Sequence, residues 1–160
     1  MKSLAEIDLT DLVGKKIESE LLTVEKDRLE AFSFASFLTE HDVDLTISKN
    51  NMLGPDLVDG FLLLSLLVHF SFDKPALNLE GAYAFNYGFD NVRFTAPVMV
   101  GEAIYVKREI LQAELASPTR ARVKERIEMV KPGQDKPVMV ADWIMLYIDR
   151  HSEEAEATDG

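Results

Sequence analysis

Cysteine is absent from this sequence of 160 residues, so no disulfide bond, cysteine nucleophile or thiolate metal site can form. Positive charge is scarce as well, because 17 Lys and Arg residues stand against 28 Asp and Glu residues, a formal net charge of −11. This excess of negative charge argues against nucleic acid as the main partner and gives no support to binding of anionic lipid. A chain without cysteine suits a reducing compartment, so a cytoplasmic location is expected.

Long apolar runs and glycine-rich phosphate loops are also missing. Acidic residues interrupt the apolar residues of positions 1–16, so no signal peptide is expected there. The most apolar stretch, 57–70, is shorter than the roughly 20 residues of a membrane-spanning helix, and no membrane partner is expected. The three histidines, His41, His69 and His151, lack a recognisable ligand spacing, so neither a metal nor a cofactor is predicted.

The stretch Leu57–Phe70, LVDGFLLLSLLVHF, is apolar on almost every side, which predicts a helix inside a core. Asp56 precedes it and is the predicted N-cap. Ser65 and His69 are its later polar residues, and the hydroxyl of Ser65 is expected to donate to the carbonyl of Phe61. His69, on so apolar a helix, is expected to be a buried and hydrogen-bonded core residue.

Four extended stretches follow this helix, at 82–94, 101–115, 120–130 and 138–148. The first is rich in aromatic residues and broken at 86–88, so it is one kinked strand or two short ones. The last is apolar at both parities, as expected of a strand covered on both faces. Short turns between consecutive strands imply antiparallel pairing. The predicted fold is α+β, an antiparallel sheet wrapped around one central buried helix.

The region before the central helix is predicted to contain a short strand at 21–24 and a short helix after Asp27. A polar stretch at 39–55 then has the composition of a loop, and loops of this length in compact domains are often functional. The length of the chain suggests one domain, here 1–150, followed by an acidic and frayed tail at 151–160.

Two segments resemble the MaoC-like dehydratases, the family of (R)-specific enoyl-CoA hydratases. Residues 54–67, GPDLVDGFLLLSLL, are similar to the family's GGPIAHGFLTLSLL, and residues 86–101, NYGFDNVRFTAPVMVG, to its NYGLxxVRFPAPVPVG. The resemblance implies a hotdog fold and a homodimer with a shared sheet, and it leaves higher oligomers open. It also implies an acyl-CoA or other acyl thioester ligand and reversible hydration of trans-2-enoyl-CoA to (R)-3-hydroxyacyl-CoA.

The acid–base residues of that family are not found at their usual spacing. Its chemistry uses an Asp and a His five positions apart, in a pattern like TGDxNPIHxD, to activate one water. Counting forward from the first helix places Leu38 and Val43 at these positions. Counting back from Gly60 places the histidine position near His41 or Asp42, and Ser36 stands five residues before His41.

The candidate catalytic residues are therefore His41 and Asp42, with Asp44 in the same loop, since a histidine beside carboxylates can titrate near neutrality. The same residues, EHDVD, also fit a solvated loop without chemistry. In the family, a backbone N–H at the start of the central helix holds the thioester oxygen. Asp59 and Gly60 are the matching candidates here, and Asp59 replaces a family histidine.

Basic and aromatic side chains supply the remaining candidates. Arg93, inside the second family-like segment, either orders a neighbouring carboxylate or reaches a ligand phosphate. The β-strand face formed by Arg120, Arg122, Lys124 and Arg126 either cradles the phosphates of coenzyme A or pairs across strands with Glu109, Glu114 and Glu128. The aromatic residues of 83–89 are expected in core and dimer packing.

These features lead to one functional hypothesis with two alternatives. The first is a MaoC-like hydro-lyase acting on an acyl-CoA thioester with an atypical acid–base pair. The alternatives are a protein that binds an acyl thioester or a partner subunit without hydration, and a thioesterase on the same fold. The missing Asp favours the alternatives, whereas the family-like central helix favours retained ligand binding.

Overall fold

The computed structural model describes residue 4 and residues 7–38, 53–77 and 82–149. A short 3-10 helix covers Leu9–Leu12. The strands are β1 (Lys16–Glu18), β2 (Leu22–Thr23), β3 (Ala82–Phe94), β4 (Ala103–Ser117), β5 (Arg120–Val130) and β6 (Met139–Asp149), and the helices are α1 (Lys26–Ala35) and α2 (Gly60–Asp73). No helix in these ranges is long and apolar enough to cross a membrane.

The strands form one antiparallel sheet in the order β1-β4-β5-β6-β3, and β2 pairs with a separate part of β4. This arrangement confirms the predicted α+β fold. The stretch 82–94 is one strand, with register shifts at 86–88 and 90–93. Within the described residues, β3 lies at an edge of the sheet and pairs on one side only, with β6.

One face of the sheet, called the inner face, packs against α2 and forms the core. The buried residues of α2 are Leu62, Leu63, Leu67 and Phe70. The strands contribute Ile104, Val106, Ile110, Ala121, Val123, Ile127, Met129, Met139, Ala141, Trp143, Met145 and Tyr147. These side chains alternate along each strand, because successive residues of a strand point to opposite faces. Phe89 extends this layer by stacking on Trp143, with ring centroids 5.7 Å apart.

Helix α2 departs from the sequence prediction at its start and in its burial. It begins at Gly60 rather than Leu57, and its N-cap is Asp59 rather than Asp56. The Ser65 hydroxyl donates to the Leu62 carbonyl at 2.8 Å, not to Phe61. One side of the helix is exposed in the single chain, along Phe61, Ser65, Val68 and Phe72. The apolar composition predicted burial on all sides, whereas this side of the helix is exposed within the described chain.

His69 and β6 also differ from expectation. His69 is exposed rather than part of the core, because it lies beside Val68 on the open side of α2. The side chains of β6 that point away from the core, Ile144, Leu146 and Ile148 among them, are only partly buried. The prediction of a strand covered on both faces is therefore wrong for the single chain. No described layer covers this second face, which is called the outer face below.

The end of α2 rests on a buried ion pair between Arg108 of β4 and Glu125 of β5. Arg108 Nη1 lies 3.5 Å from Glu125 Oε2, and each side chain is 2% exposed. Arg108 also donates to the main-chain carbonyl of Lys74, which caps the helix. Burial raises the pKa of Glu125, and the charges of Arg108 and Lys15 oppose this shift only in part. The pair therefore holds the end of α2, although burial of the Glu125 carboxylate costs free energy.

Removal of one partner of this pair is expected to destabilise the fold more than removal of both. Glu125→Ala leaves the guanidinium buried without a counter-charge and should lower the free energy of unfolding by about 3–5 kcal/mol. Arg108→Met combined with Glu125→Met should recover most of that loss, because no charge stays buried. Urea unfolding of the three proteins measures both values. A single Glu125→Ala variant as stable as the parent would contradict this assignment.

Candidate functional site

The two family-like segments meet at the start of α2. Val58 N–H donates to the Val98 carbonyl at 2.8 Å, Val100 N–H donates to the Asp56 carbonyl at 2.8 Å, and Leu57 forms an isolated bridge with Met99. Gly101 follows with φ +85° and donates to the Val24 carbonyl, just before α1. The first turn of α2 is thus fixed against segment 98–101 and the entrance of α1.

Glu102 stabilises this junction and was not a sequence candidate. Its carboxylate accepts a hydrogen bond from Met99 N–H at 2.7 Å and pairs with Lys131 Nζ at 2.6 Å. Partial burial alone would raise the pKa of Glu102, but Lys131 and Met99 N–H outweigh it and hold the pKa below its usual value. Gly101, directly before Glu102, was the local sequence signal that could have indicated a tight turn here, since glycine admits the positive φ of such a turn.

Asp59 acts as the N-cap of α2. Its Oδ1 accepts a hydrogen bond from Phe61 N–H at 2.7 Å. The first four N–H groups of a helix have no partner within it, and the helix dipole favours negative charge near them. Asp59 therefore places a carboxylate beside the free N–H groups of the first turn of α2.

Gly60 is the first residue of α2 and lies under the ring of Phe94. A Cβ atom built on Gly60 would lie 3.1 Å from two atoms of that ring, closer than ordinary packing allows. Phe94 is 47% exposed and Phe61 is 71% exposed, so both residues border the open side of the helix start. Phe94 was not a sequence candidate, although its place in the family-like segment could have singled it out.

Arg93 does not lie with Asp59 and Gly60. It pairs in register with Val140, which puts its side chain on the outer face of the sheet, whereas Phe94 pairs with Met139 on the inner face. The exposed guanidinium donates to the carbonyl of its neighbour Val92 at 2.7 Å. Of the three proposed substrate-binding residues, Asp59 and Gly60 thus lie together at the start of α2, and Arg93 lies on the outer face of the sheet.

A bulge in β3 sets this orientation of Arg93 and Phe94. Asn91 has φ +55° and donates to Asp142 Oδ2 at 2.8 Å, and Arg126 Nε donates to Asp142 Oδ1 at 3.0 Å. Burial would raise the pKa of Asp142, but the hydrogen bonds from Arg126 and Asn91 outweigh it and hold the pKa below its usual value. The polar trio therefore fixes the bulge just before Arg93 and Phe94, and Phe94 is the one that packs on Gly60.

His41 and Asp42, the catalytic candidates, lie outside the described residues, as does Asp44. The described chain ends at Leu38 before them and resumes at Leu53 after them. Among the described residues, no group of three or more His, Asp or Glu side chains could hold a metal ion.

The basic row of β5 pairs mainly with acidic residues of β3 and β6 rather than with the glutamates of β4. Lys124 Nζ lies 2.9 Å from Asp90 Oδ2, and Arg126 pairs with Asp142. Arg122 lies over the ring of Tyr87, 5.0 Å from its centroid. The row is on the outer face, away from the start of α2, so its position does not favour a phosphate cradle for a ligand bound there.

Comparison with characterised sequences gives relatives over almost the whole chain. No family model matches the sequence. The 3-hydroxyacyl-thioester dehydratase Z of Mycobacterium tuberculosis is 29% identical over 148 residues, which cover 88% of this chain and 94% of the relative. Nodulation protein N of Rhizobium meliloti is 24% identical over 149 residues, with 91% and 92% covered.

Solved structures share the fold at lower identity. A monoamine oxidase regulatory protein from Archaeoglobus has a TM-score of 0.71 at 20% identity and covers 92% of this chain and 95% of its own. The MaoC-like dehydratase from Rhodospirillum rubrum has a TM-score of 0.65 at 18% identity, with 90% and 98% covered. The fluoroacetyl-CoA thioesterase FlK has a TM-score of 0.61 at 13% identity, with 92% and 95% covered.

These likenesses agree with the sequence segments that meet at the start of α2. Each structural likeness supports the fold, and the likeness to the dehydratase sequence extends over most of the chain. The resemblance expected from the sequence is confirmed: this chain has a hotdog fold and is similar to the MaoC-like dehydratases.

Proposed function

We propose that this protein acts on an acyl thioester at the start of α2, by reversible hydration of a trans-2-enoyl thioester. The observation that carries the proposal is the docking of Asp56–Val58 onto 98–101, which presents the first-turn N–H groups of α2 beside Gly60. The same segments are those that resemble the dehydratases, and the M. tuberculosis relative is named for a 3-hydroxyacyl-thioester substrate. Coenzyme A is the proposed carrier, and a cytoplasmic location stays a prediction.

The proposed reaction uses the first turn of α2 and the loop that contains His41. Hydration adds the water oxygen to C3 and a proton to C2, and negative charge develops on the thioester oxygen between these steps. N–H groups of the first turn would stabilise this charge, as helix N-termini do for anions. His41, assisted by Asp42, would take the proton from water and return one to C2. Both residues are assigned from the sequence.

Asp59 opposes this chemistry while it is ionised. Its carboxylate already accepts from Phe61 N–H at 2.7 Å, so it competes with the thioester oxygen for the same donors. It also repels the negative charge that forms there. Asp59 is therefore proposed to limit the rate, because it stabilises the free helix more than the complex.

Asp59→Asn is expected to increase kcat/KM for crotonyl-CoA by roughly tenfold, equivalent to about 1.4 kcal/mol. Asn caps helices about as well as Asp, so the helix start should be retained without the charge. Asp56→Asn is the matched control, because the Asp56 carboxylate faces Lys26 at 3.9 Å and not the first turn. Lower activity in Asp59→Asn with unchanged stability would assign the carboxylate a direct role in binding or catalysis instead.

His41→Ala is expected to abolish hydration of crotonyl-CoA, measured as loss of enoyl absorbance, because the proton acceptor is removed. His151→Ala is the matched control and should retain activity. Release of free thiol without hydration would instead show thioester hydrolysis, the reaction in the name of the structural neighbour FlK, a fluoroacetyl-CoA thioesterase. Absence of turnover together with thermal stabilisation by crotonyl-CoA would show a binding protein, since a ligand bound only to the native state raises its stability.

A homodimer formed through β3 is also proposed. β3 is 13 residues long and pairs on one side only within the described chain. A long exposed edge strand readily pairs with a strand of another chain. The open side of α2 lies beside it, and a cavity of about 530 Å³ separates them, lined by Val68, Phe72, Ala84 and Tyr147 among others. A second copy paired on β3 would cover this apolar side.

Phe72→Glu is expected to shift the protein toward a smaller species in sedimentation velocity. Phe72 is 81% exposed in the single chain, so the change should leave the fold intact and place a charge in the proposed interface. Leu21→Glu is the matched control, at a 62% exposed apolar residue near the other edge of the sheet. Equal sedimentation of the parent and both variants would contradict an interface at this side.

A further inference from the structure

The cavity of about 530 Å³ between α2 and β3 lies at the second half of the helix, away from the candidate site at its start. Its sheet wall is formed by inward residues of β3 and β6, among them Ala82 and Ala84. Because alanine side chains are short, the space between this part of β3 and α2 is left open. Ligand cavities of this size are mostly apolar, with a few polar groups that fix the orientation of the ligand.

Two polar groups of this cavity are available to a ligand. The described lining carries no charge and is apolar apart from Ser71, Tyr83, Asn86 and Tyr147. The Ser71 hydroxyl already donates to a main-chain carbonyl of α2 at 3.0 Å. Tyr83 pairs in register with Ile148, which directs its side chain to the outer face. The hydroxyl of Tyr147 and the amide of Asn86 are therefore the groups that a ligand can reach.

Tyr147 offers a hydrogen-bond donor in a buried position. The residue is 6% exposed, and its hydroxyl accepts a hydrogen bond from the main-chain N–H of Leu77, which also lines the cavity. Within the described residues no acceptor takes the hydroxyl proton. Burial, together with the charge of Glu125, raises the pKa of Tyr147 to about 12, so the proton stays in place at neutral pH. A buried donor without an acceptor is costly, and a ligand oxygen would satisfy it.

Asn86 lies close to this hydroxyl and complements it. It pairs in register with Met145, two residues before Tyr147 on the same face, and such diagonal neighbours are about 7–8 Å apart. Its amide has both donors and an acceptor, and it has no hydrogen bond within the described chain. Since the lining is uncharged and Glu125 adds negative charge near Tyr147, an anion is disfavoured here. The chemistry fits an uncharged oxygen group, a hydroxyl or a carbonyl.

We propose that this cavity holds the distal part of the acyl chain and that Tyr147 and Asn86 select chains that carry an uncharged oxygen group there. The inference rests on the function proposed above, which places the thioester at the start of α2. From Gly60, the open side of α2 leads to Val68 and Phe72, which line the cavity. A second copy paired on β3 would cover the cavity and exclude bulk water, which strengthens the hydrogen bond.

The distance along α2 sets the position of the oxygen group. Val68 and Phe72 follow Gly60 by two to three turns of the helix, a distance of about 12–18 Å at a rise of about 1.5 Å per residue. Carbon–carbon bonds of about 1.5 Å advance an extended chain by about 1.3 Å each, so roughly the ninth to fourteenth carbon reaches the cavity. An oxygen group near the thioester does not reach it.

Isothermal titration calorimetry with saturated thioesters, which cannot be hydrated, tests this selection. 12-Hydroxydodecanoyl-CoA should bind about three- to tenfold more tightly than dodecanoyl-CoA, as one net hydrogen bond provides. 6-Hydroxydodecanoyl-CoA, whose hydroxyl stops short of the cavity, should bind no better than the plain chain. Hydrophobicity alone favours the plain chain, so a preference for the terminal hydroxyl reports its hydrogen bond.

Tyr147→Phe should abolish the preference, because it removes the donor and keeps the ring. Ser71→Ala is the matched control and should keep the preference, since the Ser71 hydroxyl is already bound to the Val68 carbonyl. Circular dichroism checks that each variant retains the fold. Equal binding of the terminally hydroxylated and plain thioesters by the parent protein, or a preference that persists in Tyr147→Phe, would overturn the proposal.

The outcome is separate from that of the hydration assay. The preference together with no turnover of crotonyl-CoA would support the cavity assignment and reject the proposed hydration. Hydration of crotonyl-CoA together with equal binding of the three long thioesters would reject the cavity assignment alone. No binding of any thioester would overturn both.

Discussion

Burial of one side of α2 against the inner face of the sheet is the contact on which the structure depends. Leu63, Leu67 and Phe70 are almost completely buried there, against β4, β5 and β6. Each buried side chain of this size contributes roughly 1.5–3 kcal/mol, and the helix is too short to be stable alone. The position of α2 in turn decides where its first turn lies, and with it the candidate site.

The two ends of α2 are held by polar contacts of opposite character. At its start, Asp59 satisfies Phe61 N–H, and the preceding residues hydrogen-bond to segment 98–101. At its end, the guanidinium of Arg108 donates to the Lys74 carbonyl and is held by Glu125. Anions at helix starts and cations at helix ends both favour the helix dipole. The start is also the position proposed for the thioester oxygen, so in the proposed reaction the stability of the helix and the chemistry compete at Asp59.

Within the described chain, the sheet leaves apolar surface in two places, and one of them is the homodimer interface proposed above. One is the open side of α2 beside the unpaired edge of β3, and the other is the outer face of β6. Phe72 and Phe85 are examples, with more than half of each ring exposed. Exposed patches of this kind usually mark interaction sites in folded proteins. The open side of α2 faces the inner side of the sheet, whereas Leu146 and Ile148 of β6 point to the outer side.

The sequence alone determined the type of fold, because periodicity reports which faces of a strand or helix are apolar. The range 120–130 of β5 and the apolar stretch of α2 followed from it, whereas the two family-like segments were found by their resemblance to known motifs. What only the tertiary structure decided were the contacts between distant segments. Asp59 rather than Asp56 caps α2, because Leu57 pairs with Met99 before the helix begins, and Arg93 points away from Gly60, because the bulge at Asn91 sets its direction. Neither interaction is encoded in local spacing, since each joins residues more than 40 positions apart.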